Sequence, residues 1–171
     1  MSSLSRDHLI RGLRTLVERL SSNPNRPVTI HIVGSAAIRL AHFERDDTHD
    51  IDVRVSDFES IRQVVSDIAK ENRWRDSWLN DEVTVFWPSI AAHIDWITIY
   101  SSKFVTIEIA PAELLLAMKL LAARPGRDAE DIANLMSIVG IHSIEEADSV
   151  IERFYPGDAL SPRACELVEN I

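Results

Sequence analysis

Cysteine occurs once, at Cys165, so no intrachain disulfide can form and a reducing compartment is the expected setting. No uninterrupted apolar run is long enough to span a bilayer, because the most apolar segment, AELLLAMKLLAA, is short and carries Lys119. The N-terminal stretch MSSLSRDHLIRGLRTLVERL spreads charges among its apolar positions and lacks the h-region of a signal peptide. A cytoplasmic protein with no membrane contact is the expectation. Positive charge is also scarce: 18 Lys and Arg stand against 27 Asp and Glu, a formal net charge of −9. That balance argues against coating nucleic acid by bulk electrostatics. An acidic protein that handles phosphates needs a metal ion, or a few placed Arg and Lys, to overcome its own field. Internal repeats, low-complexity tracts and linkers are absent. So are a P-loop, a G-x-G-x-x-G, a Ser-His-Asp arrangement and metal-ligand spacing among His31, His49, His93, His142 and Cys165.

What remains is an ordinary globular composition, 46% hydrophobic and 26% charged over 171 residues, which predicts a single domain with a real core. Leu9, Ile10, Leu13, Leu16, Val17 and Leu20 recur at helical spacing over 4–21, and SSNPNRP stops that helix. VTIHIVG reads as a buried strand running into Gly34, followed by a short Ala-rich helix over 35–42. DIDVRV alternates, and an amphipathic helix is predicted over 57–71. VTVFW, HIDWITIY and FVTIEI are strand candidates, the last two joined as a hairpin through SSK. From Pro111 the pattern is helical over 111–124, 128–139, 143–154 and 162–170. The expected class is α+β: a small mixed sheet with flanking helices over about 27–110 and a helical C-terminal part over about 111–171. Trp74, Trp78, Trp87 and Trp96 are expected to pack the sheet, with WRDSWLND as an alternative rim for a base or partner.

Chemistry concentrates between Val33 and Val55. The alternation in DIDVRV puts Asp50 and Asp52 on one side of a strand, away from Ile51, Val53 and Val55. Two carboxylates about 5 Å apart repel by roughly 3 kcal/mol at an effective dielectric near 20. A divalent cation such as Mg²⁺ resolves this, since it takes one or two protein carboxylates and completes its octahedron with phosphate oxygens and water. A strand start in a solvated acidic loop is the plainer alternative. Gly34-Ser35 stands where a strand hands over to a helix, so backbone N–H groups face an anion, Gly34 allows close approach and Ser35 offers a hydroxyl. The alternative there is a turn glycine and a simple N-cap. Together the two elements lay out a triphosphate at the helix start with its metal on the next strand.

Gly-Ser closing a strand, then a short helix, then Arg45, Thr48, Asp50 and Asp52 as R-x-x-T-x-D-x-D, resembles the core of polymerase-β-type nucleotidyltransferases. With the downstream segment APAELLLAMKLLAARPGRDAEDIANL, the chain is similar to the AbiEii-like branch, which includes toxins of type IV toxin–antitoxin systems. The resemblance spans about residues 27–156. It implies a nucleotidyltransferase fold and Mg²⁺ (or Mn²⁺) on Asp50 and Asp52. An NTP substrate, a tRNA or protein acceptor and a cognate antitoxin are implied with it. The lysine and aspartate that complete such sites carry over to Lys119 and Asp128, with Asp131 close behind. Gly34, Ser35, Arg45 and Thr48 carry over as nucleotide contacts.

Lys119 shares a helix face with Leu115, Ala122 and Ala123, so its stem is expected to point inward, either snorkelling or delivering charge to phosphates. Asp128 follows RPG and begins a helix, where it is either an N-cap with Asp131 in the capping-box place or a carboxylate aimed at a cleft. Arg124 and Arg127 flank that turn and are candidates for phosphate contact. A third carboxylate, Asp95 or Glu108, is left open, each being more readily read as a satisfied strand residue. Two other readings stay in play: a nucleotide- or partner-binding regulatory module without turnover, and a metal-dependent phosphohydrolase.

Overall fold

The computed structural model describes residues 3–22, 26–44, 48–89 and 92–171. The fold is α+β with a five-stranded mixed sheet. The chain divides into two compact units, Met1–Thr84 with Trp96–Ala110, and Val85–Asp95 with Pro111–Ile171. The boundary at Ala110 and Pro111 coincides with the expected start of the helical part, while residues 85–95 join the second unit.

In the first unit, helix α1 (Arg6–Ser22) precedes strand β1 (Val28–Val33), helix α2 (Gly34–Ala41) and strand β2 (Ile51–Val55). Helix α3 (Glu59–Asn72), a 3₁₀ turn Asp76–Trp78, and strands β3 (Leu79–Asn80), β4 (Ile97–Ser101) and β5 (Val105–Ile109) follow. The strands lie in the order β3-β2-β1-β5-β4. β1 runs antiparallel to β2 and parallel to β5, while β4 and β5 form the expected antiparallel hairpin. Ile30, Ile32, Ile51, Val53, Ile107 and Ile109 are buried on one side of the sheet. Leu9, Leu13 and Leu16 of α1 and Ile61, Val65 and Ile68 of α3 add to this core. Trp78 is fully buried, and its indole N–H donates to the Val65 carbonyl at 2.9 Å, so the ring packs without leaving a polar atom unpaired. Gly12 makes room for it: a Cβ there would stand 2.7 Å from the Trp78 ring.

Two strand expectations are corrected. VTVFW is not a strand: its first four residues lie in a 3₁₀ helix, Glu82–Phe86. Asn80 Oδ1 accepts from the Glu82 N–H at 3.1 Å, a side-chain turn that curls the backbone before the apolar residues begin. HIDWITIY is extended only from Ile97, leaving Asp95 in the segment before β4.

The second unit holds helices α4 (Ala112–Ala122), α5 (Ala129–Val139), α6 (Ile144–Phe154) and α7 (Pro162–Glu169). α4 is buried on nearly all sides, Leu114 through Leu120, as an apolar helix must be. Ser143 caps α6 by accepting from the Glu146 N–H, and Ser161 caps α7 by accepting from the Ala164 N–H with Pro162 just inside. Among the described residues no helix is long and apolar enough to cross a membrane.

Candidate active site

The first unit carries the Gly34–Asp52 junction. Val33, extended at the N-cap position of α2, supplies no side-chain cap. Gly34 takes a positive φ of 67°, a conformation that disfavours any side chain. Its open space is in use: a Cβ on Gly34 would stand 2.7 Å from Asp52 Oδ2. β2 places Asp52 there, because Asp52 pairs with Val33, the last residue of β1, and with Asn80 of β3. A carboxylate thus lies against the start of α2, where the helix dipole favours negative charge. Asp50 sits one residue before β2, half-buried, with the same strand parity as Asp52.

Ser35 is half-buried in the first turn of α2. Thr48 is buried and spends its hydroxyl on the Asp50 carbonyl at 3.2 Å. Its backbone bridges to Leu4 in both directions, so Thr48 anchors the approach to β2. Arg45 lies outside the described residues.

Farther along the polar side of the sheet, His31 Nε2 is 2.9 Å from Glu108 Oε2, its register partner on β5. Thr98 donates to the other Glu108 oxygen at 3.2 Å, and the Trp96 ring lies 4.3 Å from the His31 ring. Burial pushes the His31 pKa down and the Arg54 charge adds to this, while Glu108 opposes it without prevailing. Glu108 is separated from Asp52 by the whole of β1 and two residues of register, roughly 12 Å between Cα atoms from standard strand spacings. It does not share an ion with Asp52. Asp95 is exposed in the second unit, 3.0 Å from His93 and 4.0 Å from Arg153, so it too is a satisfied surface carboxylate. The sequence offered no motif for the His31–Glu108 pair or for Asn80. The alternation of Thr29 and His31 with the apolar Ile30 and Ile32 was the available sign that His31 faces away from the core.

In the second unit Lys119, Asp128, Asp131 and Arg124 converge. Lys119 points inward as expected and is 5% exposed. Its Nζ lies 2.7 Å from Asp128 Oδ1 and 2.8 Å from Asp131 Oδ2. Asp128 stands at the N-cap position of α5 but makes no cap bond. The simple N-cap alternative is therefore corrected: the carboxylate turns back and accepts from Lys119 and from the Arg124 backbone N–H, Nε and Nη2. Burial alone would raise the Asp128 pKa, but the bonds from Arg124 and Lys119 outweigh it and hold the carboxyl at about 2. Two cations balance two carboxylates here. Ala123 in a left-handed conformation and Gly126 at φ 65° turn the chain between α4 and α5, leaving Arg127 and part of Arg124 exposed.

Among the described residues no group of three or more His, Cys, Asp or Glu is arranged to hold a metal ion. Asp50 and Asp52, half-buried carboxylates of one parity, are the donor type a hard cation takes when it finishes its shell with substrate and water oxygens. The absence of a side chain at Gly34 leaves room for Asp52 Oδ2 against the start of α2, where a phosphate-bound cation would be held. Comparison with protein-family models, with curated proteins and with solved structures finds no match for this chain.

Proposed function

We propose that this chain is a cytoplasmic, Mg²⁺-dependent nucleotidyltransferase that moves a nucleoside monophosphate from an NTP to an acceptor. The observation that carries the reading is the Asp52 carboxylate against the start of α2, over the bare Cα of Gly34. A helix start beside a strand end is an anion site. A phosphate can share it with Asp52 only if a cation lies between them. The sequence supplies the second carboxylate for that cation at Asp50. A Mg²⁺ or Mn²⁺ held there would neutralise the phosphates and the departing pyrophosphate. Gly34 and Ser35 position the triphosphate, and Thr48 holds the Asp50 backbone in place. The acceptor oxygen forms its bond to the α-phosphorus, the bond to the bridging oxygen breaks, pyrophosphate leaves, and the acceptor proton passes to solvent.

Asp128, held at about 2, is a poor proton acceptor near neutral pH. In this reading Lys119, Asp128 and Asp131 are positioning residues that hold the turn carrying Arg124 and Arg127, the candidate phosphate contacts of the second unit. The resemblance stated above makes tRNA or a protein the acceptor, and a toxin with a cognate antitoxin the biological setting.

A second reading, a nucleotide-binding module without turnover, draws on the engagement of Glu108 by His31 and Thr98, which withdraws a candidate base. Melting curves test the shared premise. Mg²⁺ with one NTP is expected to raise the Tm, and Asp50→Asn with Asp52→Asn to abolish the rise. No metal-dependent nucleotide shift in the wild-type protein would refute both readings.

A further inference from the structure

Among the described residues strand β4 is the last in the sheet order and pairs with β5 alone. Its sequence, ITIYS, contains no charge and no proline, two of the devices that keep an edge strand from pairing, and carries only a bulge. All five residues are exposed, Ile97 at 38%, Ile99 at 46% and Tyr100 at 40%. The register with β5 slips between Thr98 and Tyr100, leaving Ile99 as the extra residue of a bulge. Ile99 and Tyr100 both line a groove of about 400 Å³ together with Ile107 and the α1 residues Leu13 and Val17. Its charged lining consists of Arg14 and Glu18, four residues apart on α1.

The occupant must suit an apolar, locally neutral surface on a chain of net charge −9. A strongly basic or acidic partner finds no net charge to read at this groove, since Arg14 and Glu18 cancel. Two copies of a chain of net charge −9 repel overall, and a locally neutral patch is where that repulsion is least. A twofold axis placed between Arg14 and Glu18 would set Arg14 of each copy against Glu18 of the other, with Ile99 and Tyr100 of each copy against the other's groove. The β4 edges, uncharged in both copies, would meet across the same axis. We propose that β4 and the adjoining groove form an isologous interface between two copies of this chain.

Sedimentation velocity across roughly 1 to 100 µM, a range that spans ordinary micromolar association, tests this. The wild-type protein is expected to move from the 19.3 kDa chain to twice that mass as concentration rises. Ile99→Asp is expected to remain monomeric. Arg14→Glu should weaken association about tenfold, because two like-charge contacts replace two attractive ones, and Arg14→Glu with Glu18→Arg should restore it. Restoration by a swap within one chain is specific to an isologous contact. Monomer at every concentration overturns the proposal. So does a dimer indifferent to Ile99→Asp in a variant that still melts cooperatively, or an association the swap does not restore. Should Ile99→Asp fail to fold, the charge-swap pair decides alone.

Discussion

Asp52 occupies the space that any side chain at position 34 would need: a Cβ on Gly34 would lie 2.7 Å from Asp52 Oδ2. Gly34 also has a φ of 67°. Replacement by alanine therefore incurs two costs, the left-handed backbone and the displacement of a carboxylate. Gly126 provides the control, since its φ is 65° but a Cβ there would meet nothing within 4 Å. Gly126→Ala is expected to cost only the backbone term, about 1–2 kcal/mol. Gly34→Ala is expected to cost more in urea unfolding and to remove the metal-dependent nucleotide shift. Equal costs with the shift intact would mean that Asp52 relaxes without consequence.

Lys119 is the sole ammonium between two buried carboxylates in the described cluster. Lys119→Met should destabilise the protein by about 3–5 kcal/mol, because it strands buried negative charge. Adding Asp131→Asn should recover part of that loss, since Arg124 and Asp128 would then balance. A single-variant cost below about 1 kcal/mol, the range of exposed ion pairs, would show that the cluster relaxes into solvent.

Acid should dismantle the same cluster. The Asp128 pKa is about 2 in the folded chain against an ordinary 3.8, so the unfolded chain takes the proton first as pH falls. The associated stability, about 2 kcal/mol, is complete above the ordinary carboxylate value and disappears as pH drops through about 2. Denaturant titrations of the wild-type protein and Asp128→Asn from neutral pH to pH about 2 should converge toward the acid end. A gap that stays constant across that range would place the Asp128 proton elsewhere.

His31 provides a second, independent titration. Its pKa is lowered, so the folded chain resists protonation that the unfolded chain accepts. The stability from this source is present above the ordinary value of 6.5 and is lost as pH falls. NMR of the ring protons should show His31 titrating below 6.5. Glu108→Gln should lower it further by removing the charge that opposes burial. A rise in the variant would contradict the assigned causes.

Helical periods and strict alternation carried most of the fold: α1, α3, β2, α5, α6 and α7 are legible because each has one apolar stripe or face, and α4 because it is an apolar run broken by Lys119 and ended by RPG. VTVFW misleads because β-branched residues in a short apolar run look extended, while the deciding contact is made upstream by the Asn80 side chain. The candidate site was legible in the same uneven way. Gly34 and Asp52 are eighteen positions apart in sequence, and the β1–β2 register brings them together. The inward direction of Lys119 followed from helix geometry. Its partners did not, because Asp128 reads as an N-cap until the left-handed residues around the turn fold its carboxylate back. His31 and Glu108 belong to strands far apart in sequence, and parallel pairing leaves no short-range trace of such a contact.

Transfer itself is measured by incubating the protein with each α-labelled NTP, Mg²⁺ and an extract containing tRNA and protein. Label is expected on tRNA or protein with one preferred NTP, together with released pyrophosphate, and none with the Asp50→Asn, Asp52→Asn variant. Free NMP or NDP alone would make the chain a phosphohydrolase. Nucleotide binding with no chemistry across all four NTPs would contradict the transferase and leave the binding module.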